Sequence, residues 1–431
     1  MKINKITIKN FKNVGNERTF VFNSKLTVVI GMNGKGRSTI LHAIRIACGA
    51  YFLGIPEVKK RHIHTSEIRV IDLGRELVQQ KPVKIEAEGY FPELDVPIIW
   101  RRQIQENSNS TSSSEAEVGS IRKIGLNNYQ KITKEGKEKV SLPVVAFFGT
   151  SRAHGAGRNI KSRIGRQTFT EGYQDWYVMK STTFKYENWL GSYDILKKNK
   201  KEYPNTKKAF IEAIKTANPY IQEIEVVNGK LWIKVKMDDY DSDLLPIDLH
   251  SDGIRFFTEM VAEIAFRCIV LNGYLDLKSI IESKGVVMID EIDLHLHPNW
   301  QRHAIHDLKK AFPNIQFIVT THSPFIVQSL KADELIILDK EIIKDGDPFR
   351  KSIEEVAANE MGVEDIPRSI EFLQMQKVAE EYYRLISDGK TSDSDPRTRE
   401  LRNKLNELEE IFGEDPAFVA ALKVERYSKG L

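Results

Sequence analysis

Two hydrophobic patterns along the chain predict its strands. The apolar run that ends at Gly31 is nearly continuous, which is typical of a strand buried on both faces of a sheet. The first residues alternate instead between polar and apolar positions, with Ile3, Ile6 and Ile8 apolar, which predicts a strand with one exposed face. We expect strands at 2–11, 18–23, 25–31, 81–91, 96–104, 142–149, 223–237, 285–291 and 315–323.

Helical spacing of apolar residues appears between these strands. A helix is expected directly after the run at 25–31, starting at Ser38, and others over 176–216, 253–273 and 298–312. The segment 223–237 turns at Asn228 and Gly229 and is predicted to form a hairpin. Strands that alternate with helices predict an α/β fold.

The last 80 or so residues are predicted to be helical throughout. One helix is expected to end at Gly389, and a second has Asp395 as N-cap and Pro396 in its first turn. A third is expected to start at Asp415 and Pro416. We therefore divide the chain into a main domain at 1–340, with β and helical insertions over about 50–245, and a helical region at 341–431. The second helix carries an apolar face made of Leu401, Leu405, Leu408 and Phe412.

Composition narrows the class of protein. The chain of 431 residues is 41% hydrophobic and 29% charged, as in an ordinary globular protein, and its net charge of +4 does not indicate a nucleic-acid binder. Its two cysteines cannot form a disulfide framework, which favours a reducing cytoplasm. A signal peptide and an apolar run long enough to span a membrane are both missing from the sequence. The polar tract at 105–120 is expected to be a surface loop.

The segment after the first buried strand nearly completes the phosphate-binding pattern G-x-x-x-x-G-K-[ST]. Gly31, Gly36 and Ser38 are in place, but Arg37 occupies the lysine position. In a strand, glycine loop and helix, successive N–H groups can surround phosphates and the serine hydroxyl can bind Mg²⁺. A glycine-rich turn without a ligand is the alternative.

Two later strands end in residues that suit a phosphoryl-transfer site. The strand at 285–291 ends in Asp290 and Glu291, types that hold Mg²⁺ and polarise water. The strand at 315–323 brings His322 to its carboxyl end, the edge at which open parallel sheets bind ligands. Each feature is common by itself, but their order along the chain makes coincidence a poor explanation.

A third motif precedes the long helix at 253–273. Ser251, Asp252 and Gly253 could bind an anion with backbone N–H groups and a hydroxyl. An ordinary N-cap is the alternative, because serine and aspartate are favoured there.

In this order, the motifs resemble ABC-type AAA-like ATPase heads related to Rad50, SMC and OLD proteins. The similarity is greatest to a bacterial group with DEIDLHLHPNWQ after its acidic strand and SDG-x-R as signature, and it covers about residues 1–340. The resemblance implies a P-loop NTPase fold of the ABC-ATPase head type. An antiparallel β subdomain, a helical insertion and a small C-terminal helical appendage complete this expected fold.

The resemblance also implies how the site residues act. Two subunits would enclose two ATP molecules with Mg²⁺, each phosphate loop facing the signature of the partner. Ser38 and Asp290 would hold the metal, Glu291 would be the general base and His322 would sense the γ-phosphate. Ser251, Asp252 and Gly253 would close the site in trans. The residues implied to contact ATP are Lys12, Asn33, Gly34, Lys35, Gly36, Arg37, Ser38 and Thr39.

Some positions depart from the family pattern. Arg37 keeps the charge of lysine but not its slim shape, so we expect ATP binding to survive and hydrolysis to slow. Two interpretations of Arg37 stay open, a native residue of a site that holds ATP as a clamp and an introduced substitution. Lys35 is expected to point away from the phosphates. For the glutamine that usually contacts the metal, Gln103 and the segment FFGTSR at 147–152 are both candidates.

The C-terminal pattern LRNKLNELEEIFGEDPAFVAALK is similar to the end of Septu-type (PtuA-like) ATPase subunits. That resemblance implies a bacterial anti-phage complex in which ATP controls an HNH-type nuclease subunit. A repair-type ATPase that binds DNA through the basic stretches at 58–64 and 196–201 is one alternative, and a nucleotide-binding scaffold without turnover is another. A built-in nuclease is rejected, because Asp393 and Asp395 lie in a helical region too small for one.

Overall fold

The structure is a computed structural model that describes residues 1–74, 76–137, 139–150, 168–178, 185–237, 240–339, 346–363, 370–389 and 395–412. It divides into two units, Met1–Met361 and Gly362–Leu431. The predicted boundary at 340/341 falls in the undescribed stretch 340–345, and residues 346–361 belong to the first unit.

The strands are named in chain order. They are β1 (Lys2–Lys9), β2 (Arg18–Val21), β3 (Leu26–Ile30), β4 (Val70–Asp72), β5 (Leu77–Gln79), β6 (Val83–Tyr90), β7 (Ile98–Ile104), β8 (Val144–Phe148), β9 (Ile221–Val227), β10 (Lys230–Met237), β11 (Tyr240–Asp241), β12 (Leu245–Pro246), β13 (Gly285–Ile289), β14 (Ile315–Thr320) and β15 (Leu335–Ile337).

The α-helices are named in the same way. They are α1 (Arg37–Cys48), α2 (Glu115–Thr133), α3 (Phe169–Gly172), α4 (Lys185–Lys198), α5 (Thr206–Ala217), α6 (Asp252–Asn272), α7 (Pro298–Ala311), α8 (Pro324–Gln328), α9 (Ile353–Asn359), α10 (Ile370–Ser387) and α11 (Pro396–Phe412).

A parallel five-stranded sheet forms the centre of the first unit, in the order β15-β3-β14-β13-β8. Every position of β3, β8, β13 and β14 is buried, as the continuous apolar run at 25–31 predicts for β3. Since all five strands run in the same direction, their carboxyl ends meet at one edge. The α/β P-loop fold predicted from the sequence is confirmed.

An antiparallel sheet in the order β2-β1-β6-β7 is the predicted β subdomain. The side chain of Gln316, fully buried on β14, connects it to the parallel sheet. Its amide oxygen accepts from the Ile3 N–H at 2.8 Å, and its amide nitrogen donates to the carbonyls of Ile3 and Asn23 at 2.8 and 2.9 Å. These bonds satisfy a side chain that would otherwise be costly to bury.

The polar tract at 105–120 is a loop only in its first part, so the prediction of a loop throughout was wrong. Helix α2 begins at Glu115 and buries Val118 and Ile121. Glu115 and Glu117 occupy its first turn, where negative charge favours a helix. The apolar spacing that continues beyond the tract stabilises this helix more than the serine-rich sequence opposes it.

The hairpin and the long helix of the first unit follow the predicted pattern, but the helix expected over 176–216 is divided, since α4 ends at Lys198 and α5 begins at Thr206. Strands β4, β5, β11, β12 and β15 and helices α8 and α9 were not predicted from the sequence. The hairpin of β9 and β10 turns at Asn228 and Gly229, which have φ of 53° and 81° as this type of tight turn requires. Helix α6 spans 21 residues and buries most of its side chains. Within the described ranges, every helix is too short or too polar to span a membrane.

The second unit contains α10 and α11, which pack against each other. Leu401 and Leu405 on α11 are buried with Tyr383 on α10, as the apolar face predicts. Asp395 accepts the Thr398 N–H at 2.9 Å and so caps α11, which confirms the predicted N-cap. The third helix, expected at Asp415, lies outside the described residues.

Candidate nucleotide site

The phosphate loop joins β3 to α1 and owes its shape to glycine. Gly34 has a φ of 82° and Gly36 a φ of 106°, in the left-handed region that other residues adopt only with strain. Helix α1 begins immediately afterwards at Arg37. The N–H groups of its first turn have no helical partners and can bind an anion.

Two residues that the sequence analysis missed hold this loop. The Asn13 side chain donates to the Gly34 carbonyl and accepts from the Thr39 hydroxyl at 2.8 Å. On the other side, the buried Asp339 accepts the Met32 N–H at 2.9 Å and lies 3.4 Å from the Lys35 ammonium. Lys35 is therefore paired with Asp339, in agreement with the expectation that it points away from the phosphates.

A cavity of about 290 Å³ lies against the loop. Six of the eight residues implied to contact ATP line it together with Asn13. They are Lys12, Gly34, Gly36, Arg37, Ser38 and Thr39. Asn33 is tied to this group because its amide oxygen accepts from Arg37 at 3.2 Å.

Basic side chains gather around Glu67 at the Lys12 side of the cavity. Glu67 lies 4.0 Å from the Lys12 ammonium and 2.5 Å from the guanidinium of Arg61. Arg45 lies 2.6 Å from His42, whose pKa is lowered to about 3 by burial and by Arg45, so His42 is neutral. Burial lowers the pKa of Lys12, and the nearby Glu67 and Asp290 carboxylates partly offset this.

The pair expected to hold a metal is assembled at the carboxyl edge of the parallel sheet. The Ser38 hydroxyl lies 3.1 Å from a carboxylate oxygen of Asp290, and the same oxygen accepts from the Thr320 hydroxyl at 2.6 Å. Hydroxyl and carboxylate oxygens fit Mg²⁺, which takes one or two protein ligands and completes its shell with phosphate and water. Among the described residues, no group of three or more His, Cys, Asp or Glu could hold a metal alone.

The strand ends that carry Glu291 and His322 are bonded to each other. The Glu291 N–H donates to the Thr320 hydroxyl at 2.8 Å. One carboxylate oxygen of Asp293 accepts the Thr321 hydroxyl at 2.6 Å and the His322 N–H at 3.3 Å. Asp293 thus fixes the loop that presents His322, a role that its place in the motif after β13 did not reveal.

Arg37 reaches across the site to His322. Its guanidinium lies against the imidazole, with Nη1 2.7 Å from Nδ1 and Nη2 close to Nε2. Burial and the guanidinium lower the pKa of His322, so the imidazole is neutral near pH 7. Burial also lowers the pKa of Arg37, which the carboxylates of Glu291 and Asp290 partly offset. The residue at the lysine position and the residue expected to sense the γ-phosphate are therefore in contact.

The signature residues lie at the start of α6. Ser251 and Asp252 are exposed, and the Ser251 side chain does not cap the helix, so the ordinary N-cap does not explain its presence. A Cβ on Gly253 would lie 2.3 Å from the carbonyl oxygen of His295. Glycine is therefore required here for close packing on the segment after β13. The observed contacts of these residues are with that segment and with Arg255.

The candidates for the metal-contacting glutamine are separated by the structure. Gln103 lies on β7 of the antiparallel sheet, where its amide bonds Glu117. Phe148 ends β8, and its carbonyl accepts the Asp290 N–H at 2.8 Å. The segment at 147–152 therefore begins beside the acidic strand, and its residues 151–152 lie outside the described part of the chain.

Comparison with curated proteins finds distant relatives. "Retron Vc95 probable ATPase" of Vibrio cholerae serotype O1 biovar El Tor is 23% identical over 417 residues, covering 83% of this chain and 78% of that protein. "Retron Ec83 probable ATPase" of Escherichia coli is 29% identical over 251 residues, and "Septu protein PtuA" of Bacillus mycoides (strain KBAB4) is 26% identical over 349 residues. The alignments span 43% and 40% of the lengths of these last two proteins.

Among solved structures, the SMC head domain from Thermotoga maritima matches 78% of this chain and 94% of its own, with a TM-score of 0.42 and 15% identity.

Two models of protein families match the sequence of this chain. A model described as an AAA domain matches residues 5–234, which is more than half of the chain, and a second AAA-domain model matches residues 222–328. Between them they include the phosphate loop, the signature residues, Asp290 and His322. The chain belongs to the AAA-domain family of ATPases.

Proposed function

We propose that this chain is the ATP-binding subunit of a bacterial anti-phage defence complex. Two copies enclose ATP and Mg²⁺, and the nucleotide state controls a separate HNH-type nuclease subunit. The observation that carries the nucleotide part is the 3.1 Å contact of Ser38 with Asp290 beside the phosphate cavity. This contact joins two side chains of kinds that bind Mg²⁺, from motifs that are distant in sequence, at the edge where open parallel sheets bind ligands.

The residues around the cavity have different roles in ATP hydrolysis. Backbone N–H groups of the loop and of the first turn of α1 bind the phosphates, and Lys12 adds charge. Glu291 takes a proton from the attacking water, whose oxygen forms a bond to the γ-phosphorus as the bond to the ADP oxygen breaks. Ser38 and Asp290 hold the metal, which neutralises phosphate charge when bound.

Arg37 slows this reaction. Its guanidinium is broader than an ammonium and contacts Asn33 and His322 as well as the cavity. It therefore stabilises bound phosphate with a charge that is spread over a planar group, whereas a lysine concentrates its charge at one point. ATP is held for longer than in a site with lysine at this position.

A second copy completes the site. Ser251 and Asp252 are exposed at the start of α6, and the hydroxyl of Ser251 is not used as a cap. The exposed Leu249 precedes them, with 69% of its surface accessible, and Met32 on the phosphate loop is 52% accessible. Two polar groups and two exposed apolar side chains suit a head-to-head contact between copies with ATP between them.

The defence role rests on the relatives and on the C-terminal pattern. Two of the relatives carry the name of a retron ATPase and one is named as Septu protein PtuA. The region 341–431 is the proposed contact for the HNH-type subunit, because most of it, Gly362–Leu431, forms a separate unit. Nucleic acid is then reached through the complex.

Side-by-side assays test this proposal. Mg²⁺-ATP binding, hydrolysis and self-association are measured for the wild type, Arg37→Lys and Glu291→Gln. We expect all three to bind ATP, the Lys variant to turn over fastest and the Gln variant to be inactive. Co-purification with a candidate HNH-type protein tests the partner. Absence of ATP binding in all three removes the nucleotide role, whereas binding without co-elution removes only the nuclease partner.

Direct action on DNA is not favoured by the basic stretch at 58–64. Arg61 is buried and paired with Glu67, and His62 lies 2.9 Å from the buried Arg102. Arg61 and Arg102 therefore support the fold and are not presented to a phosphate backbone. ATPase activity that DNA stimulates, and that falls steeply with salt, would restore this alternative.

A further inference from the structure

We propose that Arg37 is a specificity-determining residue that distinguishes a bound triphosphate from a diphosphate by exchanging His322 for the γ-phosphate. Without a γ-phosphate, its guanidinium connects the phosphate loop to the loop after β14. This inference deepens the proposed function and rests on it, since it requires a nucleotide at the phosphate loop.

The contacts of Arg37 bridge two separate elements. One terminal nitrogen, Nη2, lies 3.2 Å from the Asn33 oxygen on the phosphate loop and close to Nε2 of His322. The other, Nη1, lies 2.7 Å from Nδ1 of His322 and 3.5 Å from the Thr321 carbonyl. An ammonium is a single point and cannot span both elements in this way, whereas a planar fork can.

The contact with His322 is weak compared with a contact to phosphate. A neutral imidazole accepts a hydrogen bond at one nitrogen only, so it can pair with only one of the two guanidinium nitrogens that approach it. Phosphate is an anion and can accept two parallel hydrogen bonds from a guanidinium, whereas the neutral imidazole brings no opposite charge. A γ-phosphate that enters between Arg37 and His322 therefore takes the guanidinium from the imidazole.

A diphosphate does not have the same effect. The forked guanidinium can donate to a β-phosphate oxygen from one side and remain against His322 with the other. Asp293 holds the loop that carries His322 through the Thr321 hydroxyl and the His322 N–H, so the imidazole stays in reach. Only the third phosphate separates the two side chains.

A double-mutant cycle tests the exchange. Melting temperatures are measured for the wild type, Arg37→Lys, His322→Gln and the double variant, each without nucleotide, with Mg²⁺-ADP and with Mg²⁺-ATPγS. We expect the two single shifts to be non-additive by ~2 °C in the empty and ADP states, the size of effect that one hydrogen bond has on a domain of this length. With ATPγS the non-additivity should disappear or change sign.

A control cycle separates this exchange from general stabilisation. Lys309 and Glu334 form an ion pair at 2.5 Å on α7 and just before β15, apart from the phosphate loop. The cycle of Lys309→Met and Glu334→Gln should give the same coupling in all three states. If either single variant at the site fails to fold, Arg37→Gln and His322→Asn replace them.

Each of the other outcomes overturns one part of the proposal. Additive shifts in the empty protein, or the same coupling in all three states, overturn the exchange while nucleotide binding stands. Equal loss of coupling with ADP and ATPγS overturns the γ-phosphate specificity. If neither nucleotide changes the melting temperature of any variant, the proposed nucleotide site is wrong, and the proposed exchange is overturned with it.

Discussion

The phosphate loop and the signature segment both place glycine near the start of a helix, but for different physical reasons. A Cβ added to Gly34 would have no atom of the described residues within 4 Å, so only its φ of 82° requires glycine. Gly253 has an ordinary φ, but a Cβ there would meet the His295 carbonyl. The first glycine shapes a loop around open space, and the second allows two segments to touch.

This difference explains why the two motifs play unequal parts within one chain. The phosphate loop is anchored by Asn13 and Asp339 and faces the Asp290 pair, so its chemistry is assembled. The signature segment packs on the residues after β13 and leaves Ser251 exposed. The phosphate loop has its bonding partners within one copy, whereas the proposed function assigns the signature segment to the site of a second copy.

The strongest test of the site around the phosphate loop is Glu291→Gln. Removing a general base costs roughly 10²- to 10⁴-fold in rate, and ATP binding should persist because the loop contacts remain. A radiometric assay of ATP hydrolysis, paired with nucleotide binding by calorimetry, measures both effects. Glu282→Gln, an exposed position paired with Lys278, serves as the matched control. Equal turnover in the Glu291 variant and the control would contradict the assignment.

The signature helix should respond to pH through Glu259. Burial raises the pKa of this carboxyl to about 8, with Asp248 and Glu187 raising it further and Arg255 lowering it. A raised pKa in the folded state stabilises the protein at low pH. The unfolded carboxyl ionises above about pH 4.5 while the folded one stays protonated, so this stabilisation is lost progressively between about pH 4.5 and 8 and the loss then levels off. Glu259→Gln cannot ionise, so its free energy of unfolding relative to the wild type should increase by up to ~1.4 kcal/mol per pH unit.

Urea unfolding of both proteins between pH 5 and 9 measures this difference. A difference that stays constant over the whole range would show that Glu259 titrates as an exposed carboxyl does.

Gly253→Ala breaks the close packing of the signature segment. The added Cβ must displace backbone, which costs ~1–3 kcal/mol of stability, as overpacking in cores does. ATP-dependent self-association should be lost while ATP binding by the monomer remains, measurable by light scattering with and without ATP. Gly191→Ala on α4 is the matched control, since the nearest atom to its Cβ is at 3.6 Å. Loss of self-association in both variants would remove the special role of Gly253.

The smallest effect is expected for Gly34→Ala. Its Cβ has room, so the cost is the left-handed conformation alone, ~1–2 kcal/mol. Gly136→Ala shares a positive φ of 62° and open space but lies outside the phosphate loop. Both variants should lose similar stability, and only Gly34→Ala should weaken nucleotide binding in an equilibrium titration. Equal affinities in the two variants would place Gly34 outside the binding surface.

Local patterns made most of the fold predictable. The run at 25–31, the turn at Asn228 and the N-cap at Asp395 each depend on a few neighbouring residues, and all three formed as expected. The order of motifs likewise identified Ser38 and Asp290 before their contact was known. Helix α2 was not predicted, because its first turn lies inside a serine-rich tract.

The anchors of the site could not be predicted in the same way. Asp339 bonds a residue more than 300 positions earlier, and no local pattern marks it. Asn13 and Asp293 lie within motifs, but their partners are set by tertiary packing. The contact of Arg37 with His322 follows from the length and planar shape of one side chain in a particular sheet order.

The place of β3 between β14 and β15 bears on how the protein is made. During translation the complete phosphate-loop motif leaves the ribosome early, but both sheet neighbours of its strand, and Asp339, are synthesised near the end of the head. A nascent chain that stops before residue 339 therefore has the motif and its Asn13 bonds, but lacks the Asp339 bond to the Met32 N–H. The phosphate loop is held on both sides only when the head is almost complete.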